Sequence, residues 1–219
     1  TGMAPGVNII ALKVLSDSGS GSTVDIAEAL NWVVANRAAY NVVSVNLSLG
    51  YGDNASVATA SPFASQFASL ASAGVAVVAA SGNSYYSYQT QGVATPSADP
   101  NAWSIGAVWD RNAGGSYYWS SGATDYTTAA DQIASFSQRS ASLTTVMAPG
   151  GQITGANWDG GTSTYSGTSQ AAPHIAGLVA DMQQLSYQVS GHFLGVSDLK
   201  QAMQAGAASI YDGQTVADN

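Results

Sequence analysis

Ser61-Pro62-Phe63-Ala64-Ser65-Gln66-Phe67-Ala68-Ser69-Leu70-Ala71-Ser72-Ala73-Gly74-Val75-Ala76-Val77-Val78-Ala79-Ala80 decides the fold. Ser61-Pro62 opens a helix that runs to Ala73, because proline suits a first helical turn, and Gly74 stands where a glycine in left-handed conformation ends one. Val75 to Ala80 follows as a strand apolar on both faces, so both must be covered. Upstream, Val42 to Leu49 is another apolar strand. Asp25 to Ala39 carries helical spacing at Ile26, Ala29, Leu30, Val33 and Val34, with Ser22 or Thr23 placed as its cap. The β-branched run Val7-Asn8-Ile9-Ile10-Ala11-Leu12-Lys13-Val14-Leu15 precedes it and reads as a central strand.

Strand, helix, strand, helix, strand with short connections implies right-handed crossovers. The fold class is therefore α/β, a three-layer parallel sheet with helices on both faces. Further strands are expected at Trp103 to Val108, Ser135 to Ser137 and Thr145 to Met147, and helices at Thr168 to Leu185 and Val196 to Ala205. No linker or repeat divides residues 1–219, so one domain is expected. In a parallel sheet, ligands bind beyond the carboxyl ends of the strands, which directs attention to the loops Ser48-Leu49-Gly50 and Ser81-Gly82-Asn83.

Composition narrows the partners. With 13 acidic and 5 basic residues the net charge is −8, which repels phosphate backbones, so nucleic acid is not expected. No run of 18 apolar residues suggests a membrane span. Cysteine is absent, which removes disulfides and thiolate metal sites. A Lys-poor surface rich in Ser and Thr leans towards an extracellular setting. The aromatic loops between Ser84 and Ala130, with Tyr85, Tyr86, Tyr88, Tyr117, Tyr118 and Trp119, either line a groove or cover surface loops.

The chemistry points to Tyr165-Ser166-Gly167-Thr168-Ser169-Gln170-Ala171-Ala172-Pro173-His174-Ile175-Ala176-Gly177. Gly167 permits a close backbone approach, and Ser169 sits at the opening of a small-residue helix whose dipole favours nearby negative charge. Ser169 is either a nucleophile or a helix N-cap. Asn83, ending a strand within Ala79-Ala80-Ser81-Gly82-Asn83, is either a turn residue or an amide donor aimed at the mouth of the sheet.

These loops, in this order, resemble the subtilisin-like serine proteases. Val45-Asn46-Leu47-Ser48-Leu49-Gly50, Gly2-Met3-Ala4-Pro5, Ala134-Ser135-Phe136-Ser137 and Met147-Ala148-Pro149-Gly150 support the same likeness, which extends over nearly the whole chain. The resemblance implies a serine-type endopeptidase acting on extended polypeptide through an acyl-enzyme on Ser169. It makes Asn83 and the Ser169 backbone N–H the oxyanion donors, at roughly 3–4 kcal/mol per donor. It also makes Ser48, Leu49, Gly50, Ala80, Ser81 and Gly82 the two edges that flank the pocket for the residue before the scissile bond and hold the peptide as an added strand. Thr95-Pro96 falls where the family often has a cis proline.

A serine hydroxyl needs a general base, normally a histidine oriented by a carboxylate. His174 lies five residues past Ser169, about 500° around the helix, so it faces away and reads as a buried structural histidine. His192 reads as a loop residue. The family's Asp-[Ser/Thr]-Gly and His-Gly-Thr-His motifs precede the Gly-x-Ala-Pro turn at which this sequence opens. The base and its aspartate are therefore expected upstream, and Tyr211 to Asn219 reads as a polar loop without a closing helix, so that both ends look trimmed. This sequence alone is expected to hydrolyse little or nothing. A chain lacking those parts would favour a complementing segment or self-association. Two other readings remain: a peptide-binding pseudoprotease without the triad, and an α/β-hydrolase using His192. Calcium occurs in the family, but no compact Asp/Asn loop with cation spacing is present, so no metal ligand or other cofactor is assigned.

Overall fold

The computed structural model describes residues 2–210. Helix α1, Thr23–Asn36, begins at Ser22, whose hydroxyl accepts from the Asp25 N–H at 3.1 Å. It turns Ile26, Leu30 and Val33 inward. Strand β1 is Ser44–Leu47, helix α2 is Ala64–Ser72 and strand β2 is Ala76–Ala80. Gly74 has φ +79°, and across it the Val75 N–H returns to the Leu70 carbonyl at 2.9 Å, closing α2 as the sequence requires.

After the short helix α3, Tyr85–Tyr88, come β3, Ala102–Val108, the two-residue strands β4, Tyr117–Tyr118, and β5, Thr124–Asp125, and then β6, Thr144–Pro149. A hairpin of β7, Ile153–Ala156, and β8, Thr162–Tyr165, feeds the long helix α4, Thr168–Ser190. Helix α5 is Val196–Gly206. Strands β1, β2, β3 and β6 form, in that order, a parallel sheet. The alternation of β2 shows why it must be apolar throughout. Ala76, Val78 and Ala80 join a core with α4 and α5 residues such as Ile175, Val179, Leu199 and Met203. Val77 and Ala79 join a second core with Ile26, Leu30, Phe63, Phe67 and Leu70 from the α1 and α2 side. Helices therefore cover both faces, and the three-layer α/β architecture is as expected.

Two expected strands are absent. Residues 7–15 form no strand, residues 7–13 are exposed, and Ile9 is 84% exposed. A central parallel strand needs ladder partners and a cover on each face; among the described residues this run has no ladder partner, only Val14 packs against a core, and β1 is the sheet edge. Ser135 to Ser137 is a turn rather than a strand. Its backbone bonds locally instead of in a ladder: Ser135 N–H donates to Asp125 Oδ1, Ser137 N–H donates to Ala134 O, and Ser137 Oγ accepts from the Ala107 N–H, while the buried Ser135 Oγ has no partner among the described residues. The aromatic loops fold mainly onto themselves. Trp109, Tyr117, Trp119 and Phe136 pack with centroid separations of 4.5 to 5.8 Å, and both indole N–H groups donate to the buried Asp125 carboxylate. The Thr95–Pro96 bond is cis. The expectation for Tyr211 to Asn219 lies outside the described residues.

Candidate active site

The loops that follow β1 and β2 meet the N-terminus of α4 at the carboxyl edge of the sheet. Leu49, Gly50, Ala80, Gly82, Asn83 and Ser169 line one open cavity of about 210 Å³ there, together with Tyr51, Ala94, Gln138 and Thr168. The residues singled out from three distant parts of the sequence are thus brought together, with Ser48 and Ser81 in the walls behind.

Ser169 is the second residue of α4, half-buried, and the N-cap is Gly167, so Ser169 is not a capping serine. Gly167 has to be small: a Cβ there would stand 2.9 Å from Gln170 Oε1 and 3.2 Å from Asn83 Nδ2. Pro173 lies inside the same helix. Lacking an N–H, it leaves the Ser169 carbonyl without its i+4 donor. Ser48 supplies the replacement, its Oγ donating to Ser169 O at 2.7 Å, while Ser169 Oγ donates to Ser48 O at 3.3 Å. This reciprocal pair pins the helix start to the end of β1.

Asn83 is oriented by a residue that sequence reasoning passed over. Thr168 donates to Asn83 Oδ1 twice, from its backbone N–H at 2.8 Å and its hydroxyl at 2.9 Å, and its Oγ1 accepts from the Gly82 N–H at 3.1 Å. With the oxygen side of the amide held, Nδ2 is left on the cavity side, where it donates to no described protein atom. The Ser169 N–H is likewise free of a protein acceptor at the positive end of α4. The only clue to Thr168 in the sequence was a hydroxyl beside the serine.

The two edges differ. Gly50 is exposed at the cavity mouth, whereas Ser81 is fully buried: its N–H donates to Ile105 O, its carbonyl accepts from Ala94 N–H, and its Oγ donates to Gln138 O at 2.6 Å. Ser81 therefore braces its edge from behind, and its backbone has nothing left to offer a peptide. Burial, and secondarily the Asp53 carboxylate, raise the Tyr51 phenol above its ordinary value, so it is neutral at the cavity.

His174 is half-buried rather than buried, and its Nδ1 is paired with Gln170 O at 2.8 Å. It stays partly exposed because it follows the exposed Pro173 on the outer side of α4. His192 is exposed between α4 and α5, its backbone held by Ser186 and Ser190 hydroxyls. Among the described residues no histidine or carboxylate hydrogen-bonds Ser169, and no group of three or more His, Asp or Glu could hold a metal ion. Among the described residues no helix is long and apolar enough to cross a membrane.

Comparison with known proteins places the fold and the family. The subtilase family model, Peptidase S8, matches residues 1–217. Alkaline serine exoprotease A of Vibrio alginolyticus is 36% identical over 86% of this chain and 30% of its own length. Subtilisin E of Bacillus subtilis strain 168 is 34% identical over 82% of the chain and 39% of its own length. The chain thus spans between a quarter and a half of these curated relatives. Among solved structures, a cold-adapted subtilisin-like serine proteinase superposes with a TM-score of 0.71 at 28% identity, covering 98% of this chain and 65% of that one. The fold is that of the subtilisins, and this chain belongs to the subtilase family of serine proteases.

Proposed function

We propose that this chain carries the serine half of a peptidase active site that hydrolyses peptide bonds of extended polypeptide through an acyl-enzyme on Ser169. The carrying observation is the held orientation of Asn83: Thr168 occupies its oxygen and leaves Nδ2 without a described protein acceptor, at a cavity that Ser169 also lines. Two such donors suit the oxyanion that develops when a serine attacks a carbonyl. The exposed Gly50 edge offers backbone to an extended peptide, and the slot between it and Gly82 takes the side chain before the scissile bond.

In this reading the general base and its carboxylate come from residues other than the described ones. Ser169 Oγ, which now donates to the Ser48 carbonyl, would turn to that base. The family of the chain and the exoprotease name of its Vibrio relative support action outside the cell. A calcium role has no ligand set among the described residues and enters no step.

The test is labelling with a fluorophosphonate probe in the protein that contains the family's Asp and His motifs. Labelling and peptide hydrolysis that both vanish in Ser169→Ala are expected; hydrolysis that survives Ser169→Ala would overturn the assignment. The purified 219-residue chain is expected to show residual hydrolysis at most. Among the described residues no histidine hydrogen-bonds Ser169, which leaves a second reading, a peptide-binding pseudoprotease, that predicts peptide binding without labelling in every context.

A further inference from the structure

Gln138 is joined to both edges of the cavity and is 1% exposed. Its backbone N–H donates to Gly82 O at 2.8 Å, and its carbonyl accepts from Ser81 Oγ at 2.6 Å. Its side chain reaches across to the loop after β1, where Nε2 donates to Asp53 O at 2.9 Å and to Asn54 Oδ1 at 2.8 Å. Oε1 turns back and accepts from the Ser84 N–H at 3.3 Å. One carboxamide therefore ties the loop after β1 to the loop after β2.

It also fills the space between them. A Cβ on Gly82 would stand 2.1 Å from Gln138 Oε1 and 2.7 Å from its Cδ, so the amide lies directly against the Gly82 α-carbon. The Ala94 methyl is 3.0 Å from the same point and 3.6 Å from the equivalent point on Gly50, which places it on the floor between the edges. None of the residues lining the cavity is charged. Both Nε2 hydrogens are already used, so the amide has no donor for a ligand.

We propose that Gln138 is a specificity-determining residue: it braces the two edges and closes the slot from within, so that the slot takes an uncharged side chain, short in preference to long. This rests on the reading of the cavity as the subsite for the residue before the scissile bond. Gln138→Ala removes four heavy atoms and three side-chain hydrogen bonds from the inner end, which opens room for a longer side chain.

The experiment measures binding of N-acyl tripeptides ending in Ala, Phe or Lys to the purified chain by calorimetry, so that no turnover is needed. The wild-type chain is expected to bind the Ala peptide best and the Lys peptide worst. Gln138→Ala is expected to move the Phe-to-Ala affinity ratio towards Phe by about tenfold, the lower range for a change of methylene size in a pocket. Gln138→Met, which keeps the length, should hold the wild-type ratio. If Gln138→Ala loses its cooperative thermal transition, Asn54→Ala replaces it, and a smaller shift in the same direction is expected. Peptide binding with an unchanged ratio in these variants would overturn the role of Gln138 alone. Failure of every peptide to bind the wild-type chain would overturn the peptide-cleft reading and the inference together.

Discussion

At the scale of single residues, the serine and the asparagine depend on Thr168. Its hydroxyl joins the Gly82 N–H to Asn83 Oδ1, and the residue is fully buried, so the pair of hydrogen bonds cannot be exchanged for water. Thr168→Val keeps the shape and removes both. The Gly82 N–H is then left with a methyl group, at a cost of about 1–3 kcal/mol in stability. The amide of Asn83 loses one of its two anchors and can turn its oxygen towards the cavity. Thr168→Ser should keep both stability and probe labelling, whereas Thr168→Val should lower the melting temperature and slow fluorophosphonate labelling of Ser169. Equal labelling rates in the two variants would show that Asn83 orients itself without help. The sequence could mark Ser169 and Asn83 because their motifs are contiguous strings. Thr168 and Gln138 act through space on loops that are far away along the chain, and no local pattern carries that information.

At the scale of elements, what was legible followed from rules confined to a few neighbouring residues. Ser22 caps α1, Gly74 ends α2, and the apolar run of β2 divides by alternation between two cores. Ser135 to Ser137 misled because its alternation is real but its N–H groups are claimed locally, Ser135 by the Asp125 side chain and Ser137 by the Ala134 carbonyl. Helix α4 shows how an apparent local defect is repaired from a distance. Pro173 removes a donor from the helix, and Ser48 Oγ fills the vacancy at Ser169 O. Ser48→Ala should therefore destabilise the chain by about 1 kcal/mol, the ordinary net worth of such a bond. Restoring the helical donor with Pro173→Ala should remove most of that penalty. Thermal or urea unfolding of both single variants and the double variant forms the cycle. Strict additivity would mean that Ser169 O finds another donor in the Ser48→Ala chain.

At the scale of the whole molecule, the parallel sheet stops at β1 among the described residues, and the β-branched run that reads as an interior strand lies outside it. Val7 is 47% exposed, Ile9 84%, Ile10 40% and Leu12 38%. The carboxyl edge of the sheet holds its site regardless, because Ser48, Asn83, Gln138 and Thr168 bond directly to one another's loops rather than through residues 7–15. Cavity and exposed run should therefore respond separately to substitution. A contiguous apolar run beside an unpaired strand edge favours pairing with another chain. The purified chain is expected to self-associate as its concentration rises, with the net charge of −8 opposing this most at low ionic strength. Added salt should promote association by screening that repulsion, and Ile9→Lys together with Ile10→Lys should reduce it while leaving peptide binding at the cavity within about twofold, as expected for sites that share no partners. Sedimentation velocity across a concentration series at two salt levels reads the first effect, and calorimetry with the Ala-ending peptide reads the second. A monomer at every concentration and salt level would show that the exposed run is no docking surface. A loss of peptide binding in the double lysine variant would show instead that residues 7–15 support the cavity, against the separation that the hydrogen bonds describe.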